Sequence, residues 1–273
     1  LYRKSPAAAT VSNCKKTVTY ITFPYLFPAA CATIPKSEFT HLICYGGTCM
    51  QRIKTWIREN PHVWWALVLP VYLTLFFIIE HFIKDNYWAT QTSIDYHIPF
   101  IPQFIVIYDS WSFLLFALGI YLIVKDPEGF RRYMWTILLT FFTATAFCAL
   151  VPNGQDLRPA VMEQHNFFTW MVQYTYSLDT NTNVFPSVHV LGVMAALFAI
   201  WHTPGMKKWT WRVFSALYGA LIIASTLFVK QHAFIDVMAG LFLAAIGYVV
   251  VYVIIGRRRD RLVAARTLSE KKE

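Results

Sequence analysis

The sequence predicts an all-α polytopic membrane protein, a six-transmembrane-helix bundle. Three observations lead there. The chain's 273 residues are 56% hydrophobic and 17% aromatic but only 14% charged, against about 25% charged in a soluble domain. From residue 50 onward the apolar residues gather in six blocks, roughly 63–83, 104–124, 133–151, 187–201, 209–229 and 233–255, each near the ~20 residues that cross a bilayer. Trp64, Trp65, Trp135, Trp201, Trp209 and Trp211 stand near block ends, where amphipathic rings anchor at the interface.

Each block has its own boundary signals. The first begins after Arg52, Lys54 and Arg58. The second follows the segment 94–102, in which Pro99 and Pro102 stand among aromatic residues. That segment reads equally as an interfacial element facing lipid and as an ordinary proline-rich entry to a span. The third follows Lys125, Arg131 and Arg132. The fourth is short unless it reaches back to Pro186 and Ser187. The sixth ends at a basic run, Arg257 to Arg261. Residues 1–49 differ: they hold Cys14, Cys31, Cys44 and Cys49, and their apolar run is broken by Pro24 and Pro28. They are expected to be an extension outside the fold, with the functional protein starting near Met50. Residues 50–260 then form the membrane domain and 261–273 a basic cytoplasmic tail.

Positive charge concentrates in alternate connections. The connections at 84–103, 152–186 and 230–232 hold few cations, chiefly Lys84, Arg158 and Lys230. The positive-inside rule therefore places both termini in the cytoplasm, and the plasma membrane is the expected location. The loop 152–186 and the starts of the fourth and sixth blocks then meet at the outer face.

Those pieces carry the chemistry. His232 and Asp236 are four apart and share a helix face. A carboxylate on one imidazole nitrogen fixes the tautomer and makes the other nitrogen a better nucleophile or base. The same pair also serves a structural role, half a metal site or a proton relay. Pro186, Ser187, Val188 and His189 open the fourth block. A helix start presents unpaired N–H groups to an anion, Ser187 caps it or contacts a phosphate, and His189 is placed to protonate a leaving oxygen. Arg158 supplies a permanent, bidentate-capable cation, and Lys230 a second; taken singly, each also reads as snorkelling to headgroups. His165 and Asp179 read as solvated loop residues, and Glu80 and His81 as structural.

Taken together, Arg158-Pro159, then Pro186-Ser187-Val188-His189, then Ser225, His232 and Asp236 resemble the type 2 phosphatidic acid phosphatase superfamily, whose pattern is KxxxxxxRP, PSGH and SRxxxxxHxxxD. The resemblance implies a phosphohistidine on His232, oriented by Asp236, with His189 as general acid and then base. It implies phosphate contacts from Arg158, Ser187 and the amides around Val188, and no metal or cofactor. The chain departs from the pattern at Val151 (Lys in the family), Val188 (Gly) and Thr226 (Arg), and Lys230 is the cation available to replace one of those lost. The weakened pattern is similar to the inositol-phosphorylceramide and sphingomyelin synthase branch and its bacterial relatives. There an alcohol, rather than water, resolves the intermediate; hydrolysis and transfer both stay open.

The expected partners are a lipid phosphate or phospholipid and the bilayer, with oligomeric state undetermined. Nucleic acid is not expected, because the cations are not interleaved with a soluble aromatic platform. No phosphate-binding glycine motif is present, and no internal repeat supports a transporter. The competing readings are a non-catalytic transporter relaying protons through His232 and Asp236, and a metal-dependent hydrolase using His189, His232 and Asp236.

Overall fold

The computed structural model describes residues 47–83, 86–162 and 165–258. The expectations for residues 1–46, including three of the N-terminal cysteines, and for 261–273 lie outside the described residues. The chain divides into a short unit, Leu1–Trp56, and a large one, Ile57–Glu273. The described part of the short unit is helical, within α1 (Gly47–Glu59).

The large unit is a helical bundle. A 3₁₀ turn, Pro61–Leu67, runs into α2 (Val68–Phe82). Then come α3 (Ile105–Lys125), α4 (Pro127–Leu150), α5 (Phe167–Leu178), α6 (Val188–His202), α7 (Trp209–Phe228) and α8 (Phe234–Tyr248). The last continues as a π-helical turn, Val249–Ile255. Prolines sit where they fit, in first turns: Pro61, Pro102 and Pro127 each start a helix, where a missing N–H breaks no bond. Asp126 caps α4 by accepting from the Gly129 amide.

Among the described residues five helices are long and apolar enough to cross a membrane: Pro61–Phe82, Pro102–Lys125, Pro127–Leu150, Trp209–Phe228 and Phe234–Arg258. The protein is an integral membrane protein. The fourth anticipated span is a shorter helix, α6, of 15 residues, which rises only about 22 Å at 1.5 Å per residue. The six-span count is therefore not reached on length. The reason is positional: α6 is the central helix, packed by α4, α7, α8 and α3. Val190, Leu191, Val193, Ala195 and Ala196 are all at most 1% exposed. It has no lipid-facing side to fill, and its first turn opens on a cavity.

The connections at that end are tied together. Two-residue strands β1 (Trp88–Ala89) and β2 (Asn153–Gly154) pair in parallel, joining the 86–104 connection to the one after α4. The segment 94–102 leads into the span Pro102–Lys125. It is a turn whose Asp95 is buried, and the Ile101 amide donates to the Phe228 carbonyl at the end of α7.

Candidate active site

His189 and His232 meet in a cavity of about 490 Å³ at the end of the bundle where α6 and α8 begin. His189 lies in the first turn of α6, two residues after the cap Ser187, whose Oγ accepts from the Val190 amide at 3.4 Å. The Ser187 amide in turn donates to the Asp236 backbone carbonyl at 3.1 Å. The two helix starts are thus bonded to each other, and this brings the anticipated motifs together.

The hydrogen bonds fix the roles of the ring nitrogens. His232 Nδ1 faces two acceptors, the Val184 carbonyl at 3.1 Å and Asp236 Oδ2 at 3.6 Å. Two acceptors on one nitrogen require a proton there. In the neutral ring Nε2 then carries the lone pair, placed to accept from His189 Nδ1 at 3.2 Å. Asp236 is fully buried; its Oδ2 also accepts from the Ala233 amide at 2.7 Å. The spacing of four did deliver the His–Asp pair, but the Val184 carbonyl, from the loop before α6, is the shorter partner.

His189 is held between two aromatic rings, Tyr108 and Trp111, each with its centroid 4.5 Å away. Both lie on α3, three apart. Sequence reasoning passed over them, although their spacing at the start of an apolar block is a face signal. The rest of the cavity wall is largely apolar, with Tyr72 and Phe76 from α2.

The two cations singled out from the sequence do not line the cavity. Arg158 Nη2 donates to the carbonyls of Asp179 (2.8 Å) and Thr180 (2.6 Å) and to Gln231 Oε1, and Nη1 to the Tyr176 carbonyl. Its guanidinium lies 4.2 Å over the Tyr176 ring. Burial lowers its pKa and the Asp179 carboxylate raises it; starting so high, the group stays charged. Lys230 Nζ donates to the carbonyls of Asp95 and Ile98. Burial lowers its pKa too, against the pull of Asp95.

Asp179, expected to be a solvated loop residue, lines the cavity instead. Its Oδ2 accepts from the Tyr108 hydroxyl at 3.1 Å and from Gln231 Nε2 at 3.3 Å. Burial pushes its pKa up, with His232 and Arg158 opposing and Glu80 adding to the rise. Glu80 is structural, as expected: it accepts from the amide and hydroxyl of Thr180 at 2.9 and 2.6 Å. His165 is exposed. The described lining of the cavity therefore holds two carboxylates, Asp109 and Asp179, and no lysine or arginine. Among the described residues no group of three His, Cys, Asp or Glu side chains is placed to hold a metal.

A family model described as the PAP2 superfamily matches residues 85–250, which is more than half of the chain. The chain belongs to the PAP2 superfamily. The matched range takes in Arg158, Ser187, His189, Lys230, His232 and Asp236. No curated protein and no solved structure gives a significant match.

Proposed function

We propose that this PAP2 protein is a membrane-embedded lipid phosphatase or phosphotransferase that works through a phosphohistidine on His232. The observation that carries the reading is the nitrogen arrangement. His232 holds its proton on Nδ1, against Val184 and Asp236, and aims Nε2 at the Nδ1–H of His189.

In the first step the Nε2 lone pair attacks phosphorus and the P–O bond to the lipid breaks. The leaving oxygen takes the Nδ1 proton of His189. In the second step His189 removes a proton from water or an alcohol, whose oxygen attacks phosphorus and frees His232. At 3.2 Å the two rings leave no room for a phosphoryl group, so substrate separates them and replaces their hydrogen bond. The phosphoryl oxygens fall to the first amides of α6, around Val188 and His189, with the helix dipole behind them. Ser187 contributes as the cap that shapes this turn. Arg158 acts from behind Gln231 and Asp179 rather than by direct contact.

The apolar walls supplied by α2 and α3 suit acyl chains, and this supports a lipid as the carrier of the phosphate. By the charge pattern of the connections the site faces outward. The synthase-like branch, with an alcohol acceptor, rests on the motif departures at Val151, Val188 and Thr226.

The test is to incubate purified protein with ³²P-labelled phosphatidic acid and quench in alkali, in which phosphohistidine survives. Label on His232, lost in His232→Ala and unaffected by chelators, is the expected result. Full turnover by His232→Ala would sink the reading, and abolition by chelators would favour a metal-dependent hydrolase. Free phosphate measured against transferred product, with added alcohols, separates hydrolysis from transfer.

A further inference from the structure

We propose that Lys230 and Asp95 are positioning residues that clasp the loop carrying His232 to the turn 92–98, an inference that rests on His232 being the nucleophile. The chain has only residues 229–233 in which to pass from α7 to α8. Lys230 makes the reversal by adopting φ +53, the left-handed region that non-glycine residues seldom enter. The amides of Gln231 and His232 both turn back to the Thr226 carbonyl, at 3.0 and 3.2 Å. A conformation of this kind persists only where its surroundings over-determine it.

The surroundings are reciprocal. From the His232 loop, the Lys230 ammonium crosses to the turn 92–98 and donates to the carbonyls of Asp95 (2.9 Å) and Ile98 (2.6 Å). From that turn, the Asp95 carboxylate crosses back. Its Oδ1 accepts from the Phe234 amide, the first of α8, at 2.7 Å. Its Oδ2 accepts from the Thr92 amide and hydroxyl at 2.8 and 2.9 Å, which braces the turn itself. His232 lies between the two attachment points, residues 230 and 234. Both members are buried, Lys230 at 7% and Asp95 at 1% exposure. A buried ammonium or carboxylate without partners is strongly unfavourable, so each holds its partners firmly. Gln155 Nε2 adds a bond to the Lys230 carbonyl at 2.8 Å, and the Tyr176 hydroxyl one to the Val229 carbonyl at 2.6 Å.

The clasp explains why Lys230 is a lysine although it does not line the cavity. Attack on phosphorus demands a ring held to within a fraction of an ångström, and a displacement of 1 Å lowers rate on the order of 10²-fold. Lys230 acts on the reaction through the backbone of His232, with no contact to phosphate.

The test uses the full chain in lipid nanodiscs with ¹⁵N-labelled histidine, the His232 signals being assigned by their loss in His232→Ala. The wild type should show one tautomer, protonated at Nδ1. Lys230→Met, which keeps the length and removes the charge, and Asp95→Ala should both show averaging between the two tautomers. Their kcat on phosphatidic acid should fall on the order of 10²-fold with KM unchanged. Lys230→Arg, which can still reach both carbonyls, should restore the single tautomer and most of the turnover. A wild-type tautomer in both disruptive variants overturns the clasp. So does a raised KM with intact kcat in Lys230→Met, which would make Lys230 a phosphate ligand. If Lys230→Met does not fold, Asp95→Ala decides by the same spectrum: averaging supports the clasp, a single tautomer overturns it. A wild type that turns over no lipid phosphate would reject the enzymatic reading, while the tautomer spectra still decide the clasp.

Discussion

His189 Nδ1 lies 3.2 Å from His232 Nε2, so the proposed acid and the proposed nucleophile are hydrogen-bonded to each other before any substrate separates them. One proton sits between the atom that attacks and the atom that protonates the leaving group. His189→Ala frees the nucleophile but removes the acid. Turnover of a lipid phosphate with an alkyl alcohol leaving group should fall by about 10² to 10⁴-fold, the usual worth of a general acid. A p-nitrophenyl ester, whose leaving group needs little protonation, should lose far less. Equal losses on both substrates would contradict the role.

Asp236 invites a different expectation. Its Oδ2 is 3.6 Å from His232 Nδ1, and the Ala233 amide fixes that oxygen at 2.7 Å. In Asp236→Asn the Ala233 amide should draw the amide oxygen into the same place, still facing Nδ1. The Val184 carbonyl would also still hold the tautomer. Only the charge that steadies the imidazolium is lost. The fall in kcat should therefore stay well short of the ~10⁴-fold seen where a carboxylate alone sets the tautomer. Asp236→Ala, which also deprives the Ala233 amide of its acceptor, should lower stability by about 1 kcal/mol as well. Steady-state kinetics and thermal unfolding of the two variants check this.

These two residues were legible in the sequence because a helix converts a spacing of four into contact, and the membrane spans were legible because hydrocarbon demands long apolar runs. The Val184 carbonyl that shares His232 was not: a backbone acceptor leaves no mark on residue type. The contacts of Arg158 and Lys230 were not legible for a related reason. Their positions near the site were readable, but their charged ends lie on backbone carbonyls several ångströms along flexible side chains. Asp179 looked solvated because its loop is polar, and only tertiary packing shows that Tyr108 and Gln231 take its carboxylate into the cavity wall.

Asp179 gives a pH signature in stability. Burial raises its folded-state pKa above the unfolded value, so between the two the folded protein holds more protons. Stability then falls as pH rises from about 4, the unfolded carboxylate value, through the raised folded value. Asp179→Asn removes this loss. The variant should match the wild type below about pH 4 and exceed it near neutrality, by thermal unfolding across a pH series. A difference that is constant with pH would show that Asp179 is not the source.

Gly192 supplies the last prediction, because its effect must travel through packing. It sits on α6 one turn below His189, and a Cβ there would meet the Trp111 indole at 2.6 to 2.9 Å. The indole cannot yield cheaply: it is a rigid bicycle packed against the bundle core and against the His189 ring, centroid to centroid at 4.5 Å. Gly192→Ala should therefore destabilise the protein by roughly 1–3 kcal/mol, the range for overpacking, and push the indole toward His189. Two variants separate these effects. In Gly192→Ala combined with Trp111→Leu the clash is relieved, so stability should recover, whereas turnover should stay low because His189 has lost one of its two flanking rings. If turnover recovers along with stability, the Trp111 ring is only filling space, and Tyr108 alone suffices to aim the acid.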